Sequence, residues 1–366
     1  MSFERPTTSS RHSADLQVAL QTWLAERVDS PQILSADRPP TNGMSSETLL
    51  FDVAFQRDGQ RVVESCVARI PPSSADYPVF PRYDMAGQVA AMRLVTERTS
   101  APVPEILWFE DDPSHLGAPF FVMRRIDGVV PPDVLPYSMG GNWLFDATAE
   151  QQQLVQDSSI AVLTQIHSIA GDDSATNPIR LSGDASALRR HVDDQYAYYQ
   201  WVTADGIRAP MIEEGFAYLE QHWPTETDEV LSWGDSRIGN MLYADFRPVA
   251  VLDWEMVATG PRELDLGWMI FLHYFFQDLA TGYGMPGLPN FMREAEVSAT
   301  YAQLSGHTPV DLRWYITYAA LRHAIIMFRI TRRSVRFGES QMPANPDEAF
   351  VHHPTLRAML DGVYFE

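Results

Sequence analysis

The stretch Trp233-Gly234-Asp235-Ser236-Arg237-Ile238-Gly239-Asn240, continued by Met241-Leu242-Tyr243 and by Val249-Ala250-Val251-Leu252-Asp253-Trp254-Glu255, decides how the rest of the chain is read. Two short β-prone runs flank the turn Ala244 to Pro248, a pattern that predicts a tight hairpin. That hairpin frames three side chains with hard oxygen atoms: Asp235 before it, Asn240 at its first strand and Asp253 directly after its second. A single Asp in a loop is usually a turn or cap residue. Three such groups around one ribbon form a donor set. Phosphoryl transfer needs a group that orients the attacking hydroxyl and oxygen ligands that hold magnesium against nucleotide phosphates, and Asp, Asn and Asp supply both.

Working outward, the segment before the hairpin alternates strand and helix signals. Ser13 is placed to cap a helix whose apolar residues Leu16, Leu20, Trp23 and Leu24 share one face. A polar loop, Thr41 to Thr48, leads into the strand-like Leu49 to Phe55; Arg57-Asp58-Gly59 turns the chain into a second strand around Val62 to Ile70. From Asp84 to Glu97 the apolar steps become three and four residues, a helix that Pro102 and Pro104 bring to an end. Ile106 to Phe109 and Phe120 to Met123 then read as strands on either side of an acidic turn. Beyond Ile126 the chain is first rich in Pro and Gly, then mostly helical, as in Gln151 to Ala170 and in the stripe Trp314, Tyr318, Leu321, Ile325 and Phe328. The expectation is an α+β chain: a polar, disordered tail at 1–12, a small lobe with an antiparallel sheet and a helix at 13–126, and a larger, mainly helical lobe at 127–366.

Composition sets the boundaries of function. With 45% hydrophobic and 20% charged residues the chain is that of a folded protein with a sizeable core. Its net charge of −21 repels nucleic-acid phosphates and anionic lipid headgroups, so neither is an expected partner. Two uses of the acidic surface stay open, a solvated coat and an attraction for a cationic substrate; the run Asp193 to Trp201, acids mixed with aromatics, fits either core packing or a pocket for such a substrate. Cys66 is the single cysteine, which excludes an intramolecular disulfide and a cysteine-built metal site. No stretch resembles a signal peptide or a run of roughly 20 apolar residues, and a cytoplasmic location is expected.

The spacing of Asp235 and Asn240 resembles the catalytic loop of protein kinases, and Asp253-Trp254-Glu255 stands where their metal-binding D-F-G would stand. Together with Glu263-Leu264-Asp265-Leu266-Gly267, the two segments resemble the aminoglycoside phosphotransferase family of protein-kinase-like enzymes. Gly43-Met44-Ser45-Ser46-Glu47 is similar to its phosphate-covering loop, Val67-Ala68-Arg69-Ile70 to its strand with a basic phosphate ligand, and Phe121-Val122-Met123 to its inter-lobe hinge. The resemblance covers about residues 40 to 270 and implies a two-lobed kinase-like fold that uses ATP or GTP with Mg²⁺. It implies that Asp235 orients or deprotonates a substrate hydroxyl, that Arg237 stabilises developing charge, and that Asn240 and Asp253 hold the metal. Gly43, Ser45, Ser46, Arg69, Met123 and Arg124 would then line the nucleotide, while Asp265 braces the catalytic loop and His167 has a packing or capping role. Two departures stand out: Trp233 replaces a usual His, and Gln88 replaces the helix glutamate that pairs with the strand cation, which turns attention to Asp84 as an alternative partner of Arg69. The acceptor is then a small-molecule alcohol, an aminoglycoside or another such as a hydroxyacyl thioester; a nucleotide-binding module without transfer activity is the competing reading.

Overall fold

The computed structural model describes residues 11–39 and 45–365. Helix α1 (Ser13–Ala25) begins with His12, not Ser13, in the cap position, and the His12 side chain makes no capping bond. Strands β1 (Asp29–Asp37), β2 (Glu47–Arg57) and β3 (Gln60–Ile70) are followed by α2 (Met85–Arg98), β4 (Ile106–Glu110) and β5 (Phe120–Arg124). The five strands form one antiparallel sheet in the order β1-β2-β3-β5-β4.

Strand alternation sends successive side chains to opposite faces, and both faces of this sheet are covered. Leu49, Phe51, Val53 and Phe55 of β2 with Phe120 and Val122 of β5 pack against Leu16, Leu20, Trp23 and Leu24 of α1. Val67, Phe121 and Met123 face the other way and join Met85, Val89, Met92 and Val95 of α2 in the main core, which continues into the helical lobe. This double burial explains why β2 reads as a nearly unbroken apolar run. Strand β1 was not foreseen. It is an edge strand with Pro31 inside it, and none of its residues is buried, so no apolar alternation marks it.

The helical lobe consists of α3 (Ala149–Ile166), α4 (Ala187–Val202), α5 (Pro210–Gln221), α6 (Glu263–Gly282), α7 (Glu294–Ser305), α8 (Leu312–Arg336) and α9 (His353–Leu360). Two small ribbons lie among them: β6 (Glu229–Ser232) pairs with β9 (Ala258–Pro261), and the foreseen hairpin is β7 (Met241–Ala244) with β8 (Arg247–Val251). Asp245 and Phe246 at its tip both have positive φ, as a two-residue hairpin turn with matching twist requires. α6 and α8 run through the core of this lobe, and among the described residues no helix is long and apolar enough to cross a membrane.

Candidate active site

The loop between β6 and β7 carries Asp235, Arg237 and Asn240, and its shape is fixed from below by α6. Asp265, in the first turn of α6 and fully buried, accepts hydrogen bonds from Trp233 N (2.7 Å), Gly234 N (2.8 Å), Ser232 Oγ (3.0 Å) and His167 Nε2 (2.9 Å). Burial alone would raise this carboxyl, but the bonds from His167, Gly234 and Trp233 hold it below its usual range. The bracing expected of Asp265 is thus present, and His167 is a buried partner of Asp265 and Tyr301 rather than a free group. Gly234 has φ +91°, and a Cβ there would lie 2.0 Å from Met256 O, so only glycine permits the loop to pass this close to the chain after Asp253.

Asp235 is held at both oxygens. Trp268 Nε1 donates to Oδ1 at 2.7 Å and Asn240 Nδ2 donates to Oδ2 at 2.6 Å. With its amide nitrogen facing a carboxylate, Asn240 turns its own oxygen away from Asp235. Leu252 N donates to Asn240 O at 2.8 Å, which ties the end of the hairpin to its beginning and sets Asp253 beside the loop. Asp253 itself has φ +59°, a left-handed conformation that non-glycine residues adopt at a cost of about 1–3 kcal/mol and that concentrates at functional sites.

Arg69 Nη2 donates to Asp253 Oδ1 at 2.8 Å and Nη1 to Thr48 Oγ1 at 2.8 Å, so the strand cation reaches across to the helical lobe. This corrects the expected partner: Asp84 caps α2 through Gly87 N, and Gln88 is buried with its amide on Met85 Sδ. It also excludes a solvent-facing Arg69. Ser45 and Ser46, foreseen at phosphates, turn both hydroxyls onto Glu255, Ser45 Oγ at 2.5 Å and Ser46 Oγ at 3.0 Å. Burial first, and then the neighbouring charge of Asp253, push the Glu255 carboxyl up to about 8. Gly43 lies outside the described residues.

Arg237 is bridged between Asp133, from the Pro-rich segment, and Asp235 at 3.3 Å. Burial works against its charge, but the two carboxylates outweigh that and keep it protonated. A Cβ on Gly239 would lie 2.5 Å from Asp133 Oδ1, so glycine is what lets this pair close over the loop. Met123 ends the buried run of β5; Arg124, expected at the nucleotide, commits its guanidinium to Glu64 and Glu105 and its N–H to Glu105 O. Trp233, in place of the usual His, is fully buried and donates its indole N–H to Leu252 O at 3.0 Å, a second tie between the loop and the approach to Asp253.

The structure therefore gathers Asp235, Arg237, Asn240, Asp253, Arg69, Ser45 and Ser46 into one region where the two lobes meet. The sequence reading missed Glu255, Trp268 and Asp133. Trp268 lies three residues after Asp265 on the same face of α6, a spacing that could have placed it under the loop. Nothing in the Pro-rich segment singles out Asp133.

Comparison with known proteins follows this geometry. The chain is 23% identical over 303 residues to a probable acyl-CoA dehydrogenase, IBR3, of Arabidopsis thaliana, and 25% identical over 247 residues to acyl-CoA dehydrogenase family member 10 of Mus musculus. These matches take in 78% and 64% of this chain but only 35% and 21% of those longer proteins. Among solved structures, the GDP complex of aminoglycoside 2'-phosphotransferase-IIIa superposes with a TM-score of 0.58 at 11% identity, over 97% of this chain and 99% of that one. A thermostable mutant of aminoglycoside phosphotransferase APH(4)-Ia, in complex with ADP and hygromycin B, gives 0.55 at 16% identity, over 94% and 98%. Those likenesses establish the kinase-like fold. The model of the phosphotransferase enzyme family matches residues 46–305, from the second strand of the sheet to the end of α7, and the chain belongs to that family.

Proposed function

We propose that this protein transfers the γ-phosphate of ATP or GTP to a hydroxyl of a small molecule, with Asp235 orienting the acceptor and the nucleotide lying between the lobes. The observation that carries this reading is the Asp235 carboxylate, fixed by Trp268 and Asn240 at opposite oxygens. Oδ2 also accepts from Arg237 Nε at 3.3 Å, while Oδ1, with Trp268 as its one hydrogen-bond donor among the described residues, keeps a further lone pair that suits it to accept from an alcohol held in one direction. Asp253, with Arg69 on one oxygen, has its other available, and Asn240 presents its carbonyl oxygen. One carboxylate and one amide, completed by phosphate oxygens, are what magnesium takes at nucleotide sites, so the residues present fit it. Bound there, the ion would neutralise charge on the phosphates.

The chain's own residues do the rest. Arg69 links the sheet to Asp253 and offers its charge on the nucleotide side. Arg237, already shared by Asp133 and Asp235, positions Asp235 more than it offers free charge to a transferred group. Ser45 and Ser46 close the loop after residue 44 onto Glu255, and a bound triphosphate would compete for those hydroxyls. The relatives named as acyl-CoA dehydrogenases favour a hydroxyacyl thioester among the acceptors, and the neighbour bound to hygromycin B favours an aminoglycoside.

The test is release of ADP or GDP by the purified protein with magnesium, nucleotide and a panel of alcohols, wild type against Asp235→Ala. The variant is expected to lose at least about 10²-fold in turnover, as when a positioned base is removed. Nucleotide binding by the wild type with no acceptor-dependent turnover would identify a binding module instead.

A further inference from the structure

We infer that the acceptor carries an anionic group, a carboxylate or a phosphate, which Arg329 of α8 receives. This rests on the phosphotransferase reading and names the substrate class of the same site. All 27 basic residues of the chain are arginines, and six of them lie on α8: Arg313, Arg322, Arg329, Arg332, Arg333 and Arg336. Arg322, Arg329, Arg332 and Arg333 are at least nine-tenths buried. Where α8 merely needs a buried arginine held, it pairs it: Arg332 bonds Asp205 and Val202 O.

Arg322 and Arg329 have no ion-pair partner among the described residues. Arg322 stacks over Trp268 (4.6 Å), the residue that holds Asp235, and its Nη2 approaches Gly234 O (3.4 Å). Its Nε, buried, bonds nothing. Arg329 follows two turns later on the same face. Its guanidinium lies between the rings of Tyr77 (3.5 Å) and Trp201 (4.2 Å), and its one hydrogen bond among the described residues is from Nε to Pro78 O (2.8 Å). Burial lowers the affinity of both groups for their protons.

A chain of contacts joins this part of α8 to Asp253 and Glu255. Tyr198 of α4 bonds Val79 O and packs on Phe80, Phe80 packs on Tyr83, and Tyr83 bonds the carbonyl of Ser45, whose hydroxyl is on Glu255. Rings beside a guanidinium attract it without neutralising it. A Met would fill the same slot with no desolvation penalty, so a charge kept here without a carboxylate is a charge kept for a ligand. Trp201, in the run one reading of which was a pocket for a cationic substrate, already holds the protein's own cation.

The experiment compares matched acceptors: 3-hydroxybutyrate, its coenzyme A thioester, neutral 3-hydroxybutyramide and cationic kanamycin, each with magnesium and ATP. Wild type is expected to use an anionic member at least about tenfold better than the amide, the worth of one charge-assisted bond. Preference for the free acid identifies a carboxylate; use of the thioester alone identifies its phosphates. Arg329→Met should cut the anion-to-amide ratio by about tenfold, chiefly through KM, and Arg329→Lys should retain most of it. An unchanged ratio in Arg329→Met, or wild type that favours the amide or kanamycin, overturns the inference and leaves the phosphotransferase intact. If no acceptor is turned over, calorimetry decides with the acid and the thioester: binding that Arg329→Met abolishes upholds the anion site and defeats the phosphotransferase, and no binding defeats both.

Discussion

Two groups of arginines are held in opposite ways. Near the loop and sheet, Arg69 has Asp253, Arg237 has Asp133 and Asp235, and Arg124 has Glu64 and Glu105. On the α8 side Arg322 and Arg329 have aromatic rings and backbone carbonyls instead. Paired groups are fixed in place before any ligand arrives, which suits residues that must hold a geometry. A cation left without a carboxylate in a buried position costs desolvation free energy, which a ligand's charge would offset on the reading proposed above. The sign of the whole surface, −21, therefore says little about the sign of the acceptor.

Removing an anion on which the fixed side depends should have the largest effect. Asp265→Ala would strip two buried backbone N–H groups, a serine hydroxyl and His167 of their common acceptor. The expected loss is about 3–5 kcal/mol of unfolding free energy in urea titration, with catalytic activity lost in parallel. A loss under about 1 kcal/mol would mean that the loop is held by its hairpin and not by α6.

Next in size is a dependence on pH that arises beside α8. His352 Nε2 donates to Ala320 O and the ring touches His323, and burial lowers its pKa to about 4; His323 is depressed as well, by burial, by His352 and by Arg237. A base whose folded pKa is lowered contributes stability that is fully present above its unfolded value, about 6.5, and is lost as pH falls toward 4. For His352 alone the loss is about 3 kcal/mol. Denaturation midpoints at pH 7.5 and 4.5 should therefore separate more in wild type than in His352→Gln; equal separation would show that the arginine-bearing helix does not exclude further charge. Smaller again is Asp253→Ala, expected to weaken magnesium-dependent ATP binding by at least about tenfold and to leave Arg69 without its partner. Unchanged binding in calorimetry would remove Asp253 from the metal site.

Much of this architecture is legible in the chain because apolar spacing reports burial directly. The hairpin after Asn240, the β2 and β3 pair, α2, α3 and α8 all carry their periods openly. What escaped the reading has weak local signals: β1 is half-exposed at a sheet edge, and β9 is a four-residue run of Ala, Thr, Gly and Pro whose pairing with β6 is a long-range fact. The site divides in the same way. Asp235, Asn240 and Asp253 follow from their spacing about the ribbon, whereas the partner of Arg69 lies 184 residues away and is set by how the lobes meet. Arg322 and Arg329 were in plain view at helical spacing, but the stripe around them reads as packing, and only their lack of an ion-pair contact among the described residues gives them another meaning.

The smallest expected change tests that meaning without any ligand. Arg329→Met exchanges a guanidinium between Tyr77 and Trp201 for an apolar chain of similar reach. It gives up cation–π attraction of about 0.5–2 kcal/mol and one bond to Pro78 O, and it recovers the penalty of holding a desolvated charge. The two terms are of similar size, so the variant's unfolding free energy in denaturant should lie within about 1 kcal/mol of wild type. Arg69→Met, which leaves Asp253 with no cation, should cost more. If instead Arg329→Met loses about 3 kcal/mol or more, the α8 arginine is a structural strut between the helix and the segment 77–83, and the contrast between fixed and waiting arginines disappears.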